Sequence, residues 1–217
     1  VTHRAHSRLP LLEAIARALA GGVDWIQLRE PDLEGRPLLD LADGVLRAAR
    51  SCRRPARVLV RRRLDVALAA GLDGVHLGFD SLPAQRARRM LPEGSLLGTA
   101  SHRPGEIPEV EAAHLDYAHL APIFRPLSKA AERPPLGIEA LRAASQGSLP
   151  LLAQGGITAE NAGDCIAAGA AGVAVTGALL ASAEPERAAA ALRGVLDAAA
   201  RARGGRPHGP GRSQARG

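Results

Sequence analysis

No apolar run in the 217 residues approaches the roughly 18–20 residues that cross a bilayer, so a membrane span is not expected. No charged and then apolar leader opens the chain, so no signal peptide is expected either. Aromatic side chains are almost missing: Trp25, Phe79, Tyr117 and Phe124 are the full set. That scarcity removes the stacking platforms on which single-stranded nucleic acids bind, and the folded part is not expected to take nucleic acid. Two cysteines, Cys52 and Cys165, are too few for a disulfide framework or a cysteine-based metal site. A reducing, cytoplasmic setting is expected. No Gly-x-Gly-x-x-Gly or Walker-type loop follows a strand-like run, which argues against a dinucleotide or nucleoside triphosphate site. Lysine is also nearly absent, with Lys129 alone against 27 arginines.

What is present reads as one globular domain followed by a tail. Hydrophobic residues make up 46% and charged residues 23%, proportions that suit a soluble domain with a real core. The net charge of +6 is misleading as a sign of a basic face. Five arginines and no acid fall in residues 201–217, leaving 23 basic against 22 acidic side chains in residues 1–200. The Gly/Pro/Arg composition of that end cannot pack a core and predicts disorder over 204–217.

Along residues 1–203, short apolar runs alternate with helical spacing. Strands are predicted at 25–28, 58–60, 74–77, 96–99, 117–121, 151–153 and 172–175. Helices are predicted at 11–20, 38–49, 138–144, 159–168 and 187–200, with Pro37 in a first turn and Gly21-Gly22 as a stop. One joint recurs, a small-residue helix end, a turn and a strand: Ala20-Gly-Gly-Val-Asp-Trp, Ala70-Gly-Leu-Asp-Gly-Val, Ala113-His-Leu-Asp-Tyr and Ala168-Gly-Ala-Ala-Gly-Val. Repeated joints of this kind imply repeated βα units on a parallel sheet. With a stub at Val1 and Thr2 the strands number eight, and the predicted fold is α/β, a (β/α)₈ TIM barrel with a truncated first strand. The natural chain is expected either to begin several apolar residues upstream or to carry a short first strand.

Barrels of this type place chemistry at the carboxyl ends of their strands. Gly155-Gly156 and Thr176-Gly177 follow the last two strands, where backbone N–H groups commonly cradle a phosphate. Arg29, Arg61, Arg62 and Lys129 fall on the same rim, so an anionic small molecule is the expected ligand. Arg63 is expected to turn away and pair with Asp65. His76 reads as a hydrogen-bonded interior residue, and His119 as either that or an inward ligand contact. Ser101 and Thr176 lack the partners of a hydrolytic triad.

These residues carry a resemblance over roughly 1–195. Ile26-Gln-Leu-Arg-Glu30, Leu64-Asp-Val-Ala-Leu-Ala-Ala-Gly-Leu-Asp-Gly-Val-His-Leu-Gly78, Gly98-Thr-Ala-Ser-His102, Ala121-Pro-Ile-Phe124 with Ser128-Lys129, Leu152-Ala-Gln-Gly-Gly-Ile157 and Gly172-Val-Ala-Val175 stand in the right order. Together they resemble the thiamine-phosphate synthase and thiazole tautomerase (TenI-type) superfamily. The synthase branch joins a pyrimidine diphosphate to a thiazole phosphate and uses magnesium to steady the departing diphosphate. Its pattern has Asn-Asp where this chain has Arg61-Arg62, a further Asp where Ser81 follows Phe79-Asp80, and Lys where Pro31 stands. Magnesium wants hard oxygen ligands, and arginine repels it.

On that ground the resemblance implies the tautomerase branch: a metal-independent aromatisation of carboxythiazole phosphate, with no cofactor, in which His102 shuttles the proton. Gln27 would orient the ring. Arg29, Arg61 and Lys129 would hold the carboxylate or phosphate, and Gly155, Gly156, Thr176 and Gly177 would hold the phosphate. Phe79 and Phe124 are candidates to sandwich the thiazole. The alternatives are a divergent synthase, with Mg²⁺ or with Arg61 and Arg62 in its place, and a non-catalytic regulator that binds a thiamine precursor. The resemblance allows a homo-oligomer.

Overall fold

The computed structural model describes residues 1–125, 133–202 and 204. Seven strands form one parallel sheet in strict chain order: β1 Trp25–Leu28, β2 Arg57–Arg61, β3 Gly74–His76, β4 Leu96–Ser101, β5 Tyr117–Leu120, β6 Leu151–Gln154 and β7 Gly172–Ala174. The helices are α1 Leu11–Ala20, α2 Gly35–Ser51, α3 Leu64–Ala70, α4 Ala84–Met90, α5 Ile107–Ala112, α6 Gly137–Ala144, α7 Ala162–Ala167, α8 Gly177–Leu180 and α9 Pro185–Ala202. Each described crossover between neighbouring strands carries a helix, as parallel pairing requires. Among the described residues no helix is long and apolar enough to cross a membrane.

The predicted eighth strand is not a strand. Val1 and Thr2 instead bond to both ends of the sheet: the Val1 nitrogen donates to the Val175 carbonyl (2.8 Å), and the Thr2 amide donates to the Gln27 carbonyl (2.9 Å). The Thr2 hydroxyl also accepts the Arg29 amide (3.0 Å). Two residues are too few for a ladder of their own. Apart from Gly204, the segment 204–217 lies outside the described residues.

The recurrent joint has a physical reason. In three of its copies the residue ahead of the strand is aspartate, and it ties that strand to the next or the preceding one. The Asp73 carboxylate accepts the Val58 amide (2.7 Å), and the Asp116 carboxylate accepts the Leu97 amide (2.6 Å). Asp24 does the same with its backbone carbonyl, which accepts the Arg57 amide (2.9 Å). Each satisfies a donor at a strand start that the ladder would leave open.

Alternation along the strands then sorts the side chains. Ile26, Leu28, Val58, Val60, Val75 and Leu97 point outward into a core with Leu19, Leu38 and Val45. Leu120, Leu151 and Ala153 pack in a second core with Leu141, Ile166 and Leu192. A fully buried aliphatic side chain contributes about 1.5–3 kcal/mol, so these two layers hold the helices on the sheet. The opposite phase mixes polar and aromatic side chains with small and aliphatic ones. Arg61, His76, Gly98 and Tyr117 are successive register partners across β2 to β5, and Ala100, His119, Leu152 and Gly172 across β4 to β7. Tyr117 is buried and crosses Gly98 so closely that a Cβ there would stand 2.2 Å from its ring. Glycine at 98 is a space requirement of that ring.

Candidate active site

The inward phase opens at the carboxyl ends of the strands into a cavity of about 340 Å³, within the range of small-molecule sites. Its lining includes every second residue of the strand ends: Gln27 and Arg29, Arg61, His76, Ala100 and His102, His119 and Ala121, Gln154 and Gly156, then Ala174 and Thr176. Eight of the residues expected from sequence, Gln27, Arg29, Arg61, His102, Gly155, Gly156, Thr176 and Gly177, line this one cavity. Lys129 lies outside the described residues.

The charge of the lining is one-sided. Arg29, Arg61 and Arg133 supply guanidinium groups, five histidines surround them, and among the described residues no aspartate or glutamate side chain lines the cavity. Arg61 is half-buried, and its pKa is lowered by loss of water first and then by Arg29 and Arg62. Arg62 does not join it. The residue has φ +70°, outside the range that side-chain-bearing residues favour, and its guanidinium pairs with Asp80. Arg63 pairs with Asp65 at 2.6 Å, as expected.

His102 is exposed at the mouth, and its Nδ1 lies 2.7 Å from the Ala121 carbonyl oxygen. A carbonyl can only accept, so Nδ1 carries the proton and a neutral ring leaves Nε2 as a free acceptor. Deeper, His76 and His119 are both buried, with ring centroids 4.5 Å apart. His76 Nδ1 meets the Tyr117 hydroxyl at 3.1 Å, and His119 Nδ1 donates to Gln154 Oε1 at 3.1 Å. Burial pushes the His119 pKa down to about 3 and the His76 pKa well below its usual value, so both are neutral under ordinary conditions. The sequence reading of both as interior residues holds, and the structure adds that they floor the cavity.

His3, His6, Gln154 and Arg133 are lining residues that the sequence reading did not select. His3 and His6 stack in parallel, centroids 4.2 Å apart, on a 3₁₀ turn at Arg4–His6. The buried Glu30 carboxylate holds that turn by accepting the Arg4 amide (2.9 and 3.1 Å). Histidines on so short a turn carry no periodic signal. Three buried polar atoms of the lining, Gln27 Oε1, His3 Nδ1 and His6 Nδ1, have no hydrogen-bond partner among the described residues. Unmet polar atoms facing a cavity are groups that a polar ligand can satisfy.

The glycines of the phosphate expectation have a packing reason. Gly155 (φ +95°) and Gly156 (φ +64°) sit where a Cβ would be 2.7 Å from Pro122 and 2.3 Å from the Arg125 carbonyl. Close approach to that segment requires them, whatever their amides bind. The helix after Thr176 is one turn, α8, and offers N–H groups without a long helix dipole. The expected aromatic sandwich does not form: Phe79 is 98% exposed, and Phe124 packs against the second core.

Residues 1–179 match the family model described as thiamine monophosphate synthase. The chain is 43% identical over 202 residues to a thiamine-phosphate synthase of Methanoculleus marisnigri, covering 93% of this chain and 92% of the relative. It is 41% identical over 187 residues to a thiamine-phosphate synthase of Chlorobium luteolum, covering 86% and 87%. The solved structure of a thiamine phosphate pyrophosphorylase from Pyrococcus furiosus superposes with a TM-score of 0.81 at 27% identity, over 91% of this chain and 94% of that one.

These likenesses overturn the tautomerase expectation, since the relatives similar over nearly the whole chain bear the synthase name. The error was to read a change of reaction into missing metal ligands. Such ligands decide how charge is neutralised, not which bond forms. The chain belongs to the thiamine monophosphate synthase family.

Proposed function

We propose that the chain is a thiamine-phosphate synthase, joining a pyrimidine diphosphate to a thiazole phosphate. In this reaction the thiazole nitrogen forms a bond to the carbon that bears the diphosphate, and the carbon–oxygen bond to the diphosphate breaks. Negative charge builds on the departing group, and catalysis requires that charge to be met in place. The observation that carries the reading is the cavity: among the described residues it is lined by arginines and histidines without a carboxylate, at the strand ends of a chain related to synthases along its length.

Residue roles follow from position. Arg29 and Arg61 face the diphosphate. Gly155, Gly156, Thr176 and Gly177 take the thiazole phosphate on the opposite wall through backbone N–H groups and the threonine hydroxyl. Gln27 orients a ring through its unmet Oε1. His102 has no proton to shuttle in this reaction; its free Nε2 accepts a hydrogen bond from substrate. Val1 and Thr2, bonded to β7 and β1 flanks, act as the eighth stave of a (β/α)₈ barrel. The setting is the cytoplasm.

The synthase resemblance implies magnesium, and the donor set does not fit it. Among the described residues no group of three His, Cys, Asp or Glu side chains could hold a metal ion, and Asp80 is engaged by Arg62. The reading is tested by mixing the two substrates with the protein and following thiamine phosphate. Product that depends on both substrates supports it; an aromatised thiazole without coupling would sink it.

A further inference from the structure

We propose that this chain steadies the departing diphosphate with arginine guanidinium groups in place of a divalent cation, with Arg61 and Arg29 facing the anion and Asp80 holding Arg62 aside. The inference rests on the synthase reading and concerns how that site neutralises charge.

Three features carry it. Among the described residues the lining has three arginines and no carboxylate, and a magnesium ion bound there would meet repulsion with no hard anionic ligand from them to offset it. Arg61 and Arg29 have no acidic partner among the described residues, whereas Arg62 beside them is paired with Asp80. Unpaired guanidinium groups, half-buried and crowding each other, gain most from an incoming anion, because neutralisation relieves their mutual repulsion. Guanidinium is also permanently charged, and its planar fork matches two phosphate oxygens at once.

Asp80 completes the arrangement. It is an acid beside this rim, and its carboxylate is spent on Arg62. The alternation of the strand puts residue 61 inward and residue 62 outward, and the left-handed backbone of Arg62 carries its side chain over Gly78 toward Asp80. The pair removes one positive charge from the rim and one carboxylate from any metal. The two consecutive arginines therefore have different tasks.

Titration calorimetry of inorganic pyrophosphate into the full chain, in EDTA and in Mg²⁺, tests the proposal. Binding in EDTA is expected, Arg61→Gln should weaken it by about 10- to 100-fold as a charge-assisted contact is lost, and Arg63→Gln should not change it. Asp80→Asn should bind pyrophosphate in EDTA at least as well as the parent. Binding that requires Mg²⁺ and is lost in Asp80→Asn overturns the proposal, and so does absence of binding in both buffers. Thiamine phosphate formation measured in parallel separates the two claims. Product in Mg²⁺ with metal-dependent pyrophosphate binding refutes the arginine site and leaves the synthase standing. No product under either condition removes the synthase reading and the inference with it.

Discussion

Replacing Gly98 by alanine puts a methyl group where the Tyr117 ring already lies. The added Cβ would stand 2.2 Å from two ring carbons and 2.6 Å from a third, far inside contact distance. The ring has little room to retreat. Trp25 meets it edge-on at 5.2 Å, the His76 and His119 rings lie 5.7 and 5.5 Å away, and its hydroxyl is bonded to His76. Overpacking a rigid interior costs about 1–3 kcal/mol, and displacing the hydroxyl forfeits a hydrogen bond of roughly 0.5–1.5 kcal/mol. A loss of about 3 kcal/mol is expected, which for a domain of this size lowers Tm by roughly 6–12 °C. Urea unfolding of the two proteins measures it, with m unchanged. Tyr117→Ala in the same background removes the clash, so the double variant should lose much less than the two single losses added. A Gly98→Ala protein within about 0.5 kcal/mol of the parent, the range of a surface change, would refute this account of the interior.

Three further outcomes are expected. His119 is held to a pKa of about 3 in the folded chain, against an ordinary value near 6.5. The unfolded chain therefore binds the proton first, and the stability from a neutral His119 is complete above about pH 6.5 and lost as pH falls toward 3. Between pH 7 and 5 that loss is about 2 kcal/mol, so His119→Gln should flatten the fall measured by denaturant titration at each pH. Asp116→Ala leaves the Leu97 amide without its acceptor, costing about 1–3 kcal/mol in the same unfolding assay. Glu30→Ala releases the turn that presents His3 and His6. Its KM for substrate should rise more than kcat falls in steady-state assays, and equal effects on both would argue against a presenting role.

How much of this was legible depends on the range of the forces involved. The β1 strand and α1 were readable to the residue, because four apolar-rich positions and a ten-residue amphipathic run carry their own signal. α3, α4, α5 and α8 were not singled out, since helices of four to seven residues span two turns or fewer and show little periodicity. In the site, the strand-end rule and the two-residue period brought Gln27, Arg29, Arg61 and His102 to one cavity. Arg62 could have been separated from Arg61 by that same period. The stacked pair His3 and His6 could not have been found, because Glu30, more than twenty residues away in sequence, fixes their turn. The reaction was misread because substituted metal ligands were weighed above the rest of the chain.

The central claim is coupling of two substrates with loss of diphosphate. The direct measurement is inorganic diphosphate released when the chain is given the pyrimidine diphosphate and the thiazole phosphate together and each alone. Diphosphate equal to the thiamine phosphate formed, and none from either substrate alone, is the predicted result. No release with both present, whether or not Mg²⁺ is added, would contradict the account.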